Sequence, residues 1–128
     1  MFSFLKPIKS ASHRNRLFRL TVHVARGTNA EMPTNLVGAY VPIFLGATDH
    51  ESAARSAVAS LSQRGFEFLD IADGQIHELD ASKWDSFVAE AWPEFVDYFP
   101  KQNEVVEKLN SAFLFTGPFA SYESRADV

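Results

Sequence analysis

Residues 68–80 read FLDIADGQIHELD, and the path of the chain through Asp73-Gly74 decides how the sheet is assembled. Asp-Gly between two alternating apolar runs is a strong signal for a two-residue hairpin turn, because that turn needs φ > 0 at both central positions. Read this way, the turn pairs Ala72 with Gln75, Ile71 with Ile76, Asp70 with His77, Leu69 with Glu78 and Phe68 with Leu79. Paired residues share a face, so Asp70 and His77 are expected together on the side of Phe66, Phe68 and Leu79.

Upstream, RLFRLTVHVAR (16–26) alternates Phe18, Leu20, Val22 and Val24 with Arg19, Thr21 and His23, the period of a half-buried strand. GTNAEMPTN (27–35) is loop-forming. LVGAYVPIFLGA (36–47) is apolar on both faces and belongs near the middle of a sheet, although Pro42 cannot donate to a ladder. Thr48 followed by Glu51 fits a capping box for a helix whose inner face is Ala53, Ala54, Ala57, Val58 and Leu61, with Gly65 as its stop.

Downstream, Ser82 and Asp85 form a second capping signal, opening a helix with the stripe Trp84, Phe87, Val88, Ala91 and Phe95. Pro93 forces a kink or a fresh start, and Pro100 ends the segment. A shorter helix is expected at 103–112, and AFLFTGPF (112–119) is either a last strand or a docking segment.

From residue 36 onward this order matches the split strand-helix-strand of a ferredoxin-like α/β plait. The expected fold is therefore α+β: an antiparallel sheet with an extra N-terminal strand placed outside 36–45, and helices mainly on one face. The expected organisation is an N-terminal arm over 1–14, one domain over 15–120 and a frayed tail over 121–128.

The chain has 128 residues, 46% of them hydrophobic, which is enough for one core. It has no cysteine, which excludes disulfides, thiolate metal sites and thiol chemistry and suits a reducing cytoplasm. Neither a signal peptide nor a run of about 20 apolar residues is present, so a soluble, cytoplasmic protein without membrane contact is expected.

Charge is unevenly spread. Residues 1–26 carry Lys6, Lys9, Arg14, Arg16, Arg19 and Arg26 and no acid, whereas residues 66–107 carry eleven acids against Lys83 and Lys101. Such asymmetry concerns partners more than fold.

Asp70 and His77 are the one candidate for proton chemistry, since a carboxylate beside an imidazole sets its tautomer. No nucleophile or charge-stabilising group is evident nearby, and a polar rung in a hairpin is the plainer reading. His13, His23, His50 and His77 are scattered, no metal or other cofactor is implied, and neither a phosphate loop nor a GxSxG elbow occurs. Nucleic-acid binding is not expected: Phe18, among the arginines, lies on an apolar face where it cannot stack on a base.

The last third is rich in rings and carboxylates. Glu90, Glu94 and Asp97 recur at helical spacing on the face away from the Trp84 and Phe87 stripe, for which a solvated face is the plainer reading, and the binding residues expected with them are Trp84, Trp92 and Tyr98. Aromatics bordered by acids suit an interface with a basic protein. The expected function is thus protein binding, as an adaptor, regulator or immunity-type inhibitor, with a homodimer also in view. The alternative is a small-ligand or enzymatic plait with Tyr40, Phe44, Phe68, Asp70 and His77 around a pocket on the sheet face.

Overall fold

The structure is a computed structural model that describes residues 14–123. The expected arm at 1–14 therefore lies outside the described residues except at Arg14, and so does the end of the expected tail, 124–128.

Strands β1 (Arg16–Ala25) and β2 (Leu36–Ala47) pair antiparallel in unbroken register, from Arg16 opposite Ala47 to Ala25 opposite Gly38. Period-two alternation then sorts their side chains by face. Phe18, Leu20, Val22 and Val24 pack with Ala39, Val41, Ile43 and Leu45 against Ala53, Ala57 and Leu61 of α1 (His50–Ser62). The alanines keep the helix close to the sheet, and Gly65, at φ +90°, turns the chain out of it.

Leu17 and Phe44 are out of phase with Phe18 and Leu45, so they point the other way. There they join Trp84, Val88, Phe99, Val105 and Phe113 in a second core. α2 (Trp84–Ala91), a 3-10 turn at Pro93–Tyr98 and α3 (Gln102–Lys108) build this layer. The apolar character of both faces of β2 is thereby explained, and the expectation of helices mainly on one face is corrected.

Two short strands, β4 (Leu114–Thr116) and β5 (Ala120–Glu123), pair with β2 on either side of Pro42. The Pro42 carbonyl accepts from Gly117 N at 2.8 Å, so the missing Pro42 N–H also faces this border. Proline is tolerated because the neighbouring pairing is interrupted where its donor is absent. Residues 121–123, expected to fray, complete β5.

β3 (Glu67–Leu79) overturns the hairpin reading. Asp73 and Gly74 both adopt φ +61°, as the turn chemistry requires, yet the chain leaves the turn in its original direction. Both halves pair antiparallel with β1: Leu20 faces Ile76 and Val22 faces Ile71, leaving Ala72–Gln75 bulged out opposite Thr21. A second irregularity lies at Leu69, between the pairs His23/Asp70 and Val24/Phe68. The result is a five-stranded, open antiparallel sheet in the order β3-β1-β2-β4, with β5 also on β2. β1 is internal rather than outermost, and the parallel neighbours of a ferredoxin-like plait do not occur among the described strands.

The helix starts also differ in detail. Asp49, not Thr48, caps α1, accepting from Ser52 N at 2.7 Å, while Glu51 pairs with Arg55 one turn on. Asp80 caps the 3-10 turn at Ala81–Lys83. Asp85, expected to complete a capping box with Ser82, instead accepts from Gln102 N, and Gln102 Oε1 accepts from Asp85 N, joining the starts of α2 and α3.

The backbone and side-chain hydrogen bonds from Ser52, helped by the charges of Arg16 and Arg55, hold the Asp49 carboxyl below the ordinary aspartate value of 3.8. A depressed folded value means that the carboxylate stabilises the fold above the unfolded value, and that this is lost as pH falls through the folded one. Asp49→Ala should therefore lower the melting temperature near neutral pH. The gap from the parent should close on acidification below about pH 3.8 in paired thermal melts; a gap independent of pH would assign the loss to something other than the cap.

Candidate functional site

The expected binding residues do not all reach the surface. Trp84 is 1% exposed and donates Nε1–H to the Pro100 carbonyl at 2.8 Å, so it is a core residue with no area to offer a partner. Trp92 is half-buried against Phe99. Glu90, Glu94, Asp97 and Tyr98 are all exposed. The helix breaks before Pro93, which turns Phe95 and Val96 outward to 42% and 37% exposure beside Tyr98 at 57%. Among the described residues, neither Glu90, Glu94 nor Asp97 forms an ion pair.

Tyr98 also borders a groove of about 330 Å³ lined by Met32, Pro33, Arg64, Phe66 and Phe119. The Arg64 guanidinium lies 5.6 Å from the centre of the Phe66 ring and 5.4 Å from that of Phe119. Arg64 reaches Glu31 only at 3.4 Å. Below this groove the buried Asn29 donates to the Arg64 carbonyl and accepts from Glu31 N and Met32 N, fixing the loop that forms one wall.

Asp70 and His77 are not cross-strand partners. They sit opposite His23 and Arg19, respectively, four positions apart along β1, which at about 3.4 Å per residue is roughly 14 Å. The wider pocket expected around them also does not form: Phe44 is buried in the second core, and Phe68 lies on the α1 face.

Asp70 has an imidazole partner nonetheless, and it is His23. Asp70 Oδ2 lies 3.2 Å from His23 Nδ1, and Tyr122 Oη lies 2.7 Å from His23 Nε2. The imidazole stacks on Tyr40, centroids 4.2 Å apart and planes within 10°. Four strands cooperate here: β3 supplies Asp70, β1 His23 and β5 Tyr122, with Tyr40 on β2 between them. Gly38 makes this possible, because a Cβ there would lie 2.3 Å from Tyr122 Oη. Thus the phenol crosses β2 over a position without a side chain. Among the described residues nothing covers this half of the sheet face, whereas the aromatic core covers the half around Leu17 and Phe44.

The two charge territories meet along β1 and β3. Arg16 Nη1 is 2.9 Å from Glu78 Oε1, and Glu67, Asp70 and Glu78 lie on the strand next to the basic one. Glu90, Glu94 and Asp97 lie outside this contact and, among the described residues, have no ion pair. Among the described residues no three His, Cys, Asp or Glu side chains gather as a metal site, and no helix is long and apolar enough to cross a membrane. No protein-family model matches the chain, and neither the curated proteins nor the solved structures compared with it give a match.

Proposed function

We propose that this chain is a protein-binding domain whose docking surface is the segment 90–98 and whose partner is a basic protein. The observation that carries this reading is the exposure of Phe95, Val96 and Tyr98 in one short turn, with the exposed Glu90, Glu94 and Asp97 beside them in sequence and without ion pairs among the described residues. Exposed apolar area rimmed by polar groups marks interaction sites, and aromatic anchors with a charged rim are what specific interfaces use. The groove beside Tyr98 offers a recess for a partner side chain. A cytoplasmic location, suggested by the lack of cysteine, belongs to the same proposal.

The test is capture of the native partner by immobilised protein. Combined Glu90→Lys, Glu94→Lys and Asp97→Lys reversal should weaken capture at least about tenfold, mainly through slower association. Tyr98→Ala should weaken it through faster dissociation. Undiminished capture by both variants, with melting temperatures equal to the parent, would remove segment 90–98 as the docking surface.

A further inference from the structure

The arrangement around His23 does more than satisfy polar atoms on a sheet face. A carboxylate can only accept, so the Asp70 contact places the proton of a neutral imidazole on Nδ1 and leaves the Nε2 lone pair facing Tyr122. The phenol then donates its O–H to Nε2 at 2.7 Å, and among the described residues no donor occupies the lone pairs of its oxygen. Stacking on Tyr40 holds the imidazole plane, and Gly38 leaves the phenol room to reach it. An oriented base hydrogen-bonded to a hydroxyl, and itself oriented by a third group, is the arrangement that turns a weak nucleophile into a competent one.

We propose that Tyr122 is an activated phenol that accepts an acyl group from an activated acyl donor, with His23 as the base and Asp70 as the residue that positions it. In this step the Tyr122 oxygen attacks the acyl carbon while its proton passes to His23 Nε2. The bond from the acyl carbon to the leaving group breaks, and the leaving group takes the proton from His23. Products are O-acyl-Tyr122, the protonated leaving group and a neutral imidazole. The reactant approaches from solvent across the half of the sheet face that no described residue covers, where Tyr40 is 40% exposed and the Asp70 side chain is 62% exposed. The site is separate from segment 90–98 and stands or falls without it.

The protein contains three tyrosines, so it supplies its own controls. Tyr98 and Tyr40 are exposed, and Tyr122 is half-buried; simple accessibility therefore ranks Tyr122 last. N-acetylimidazole is the probe, with acetylation of each tyrosine followed by peptide mass spectrometry. The proposal expects Tyr122 to react at least about tenfold faster than Tyr98, a modest share of what a positioned base can contribute. His23→Gln should bring the Tyr122 rate down to that of Tyr98 or below. Asp70→Asn, at an exposed carboxylate, should lower it part of the way and leave the Tyr98 rate unchanged. A purely structural Asp70 would shift the melting temperature and leave the ratio of the two rates alone. Parent rates that follow exposure, with Tyr122 slowest, would overturn the proposal, as would a Tyr122 rate indifferent to His23→Gln.

Discussion

Trp84→Ala is expected to cost about 3–5 kcal/mol of stability, the range for deleting a large aromatic from a packed core. Trp84 stands at the centre of the second core: its ring meets Phe44 edge-on at 5.3 Å and Phe113 edge-on at 6.2 Å, and it lies 6.0 Å from Phe99. Its N–H satisfies the Pro100 carbonyl that closes the turn before α3. Alanine removes both the volume and the donor, and the surrounding rings are held by separate elements that cannot all collapse inward. Trp84→Phe restores much of the volume without the donor and should fall between the two. Urea unfolding followed by Trp92, the tryptophan that remains, provides the measurement. A loss below about 1 kcal/mol for the alanine variant would show that the second core contributes little to the cooperative fold.

Gly38→Ala is expected to be the most damaging conservative change on the open half of the sheet, at about 1–3 kcal/mol, the usual cost of inserting a methyl where there is no space. The added carbon would lie 2.3 Å from Tyr122 Oη and 2.5 Å from Cζ, so the ring has to leave and its hydrogen bond to His23 goes with it. It would also lie 2.8 Å from the Val24 carbonyl, which belongs to the backbone and cannot swing aside. A double-mutant cycle with Tyr122→Ala separates these two contacts. If the ring is the main obstacle, Gly38→Ala becomes cheaper once Tyr122 is absent. An unchanged cost in that background would assign the damage to Val24 and remove Gly38 from the design of the His23 site.

Local chemistry was legible wherever neighbouring residues decide it. The alternation of Phe18, Leu20, Val22 and Val24, the two apolar faces of β2, the small inner face of α1 and the stop at Gly65 all depend on periodicity or on one backbone angle. Asp73-Gly74 has the positive φ angles that its chemistry announces, but it does not join two strands of a hairpin. Its dihedral angles are local, whereas the direction of the chain after it depends on β1, whose free border accepts both halves of β3. That difference changed the order of the sheet. It also kept Asp70 as a candidate while replacing its imidazole partner. His23 and Tyr122 are 99 residues apart, and their contact depends on a glycine in a third strand, so no short spacing could announce it. Trp84 failed as a surface residue for a related reason: helical periodicity located its stripe, but only the position of Phe44 on the far side of the sheet shows how completely that stripe is covered.

The four-residue excursion in β3 has a consequence for the molecule in a crowded solution. Among the described strands β3 is the outermost on its side of the sheet. An outermost strand offers a row of vacant amides and carbonyls on which another chain can align and begin a fibril. Ala72–Gln75 breaks that row into two runs, 67–71 and 76–79, with the irregularity at Leu69 disturbing the first. An incoming strand would lose register after a few residues, so the domain can leave this border uncovered and still resist polymerisation.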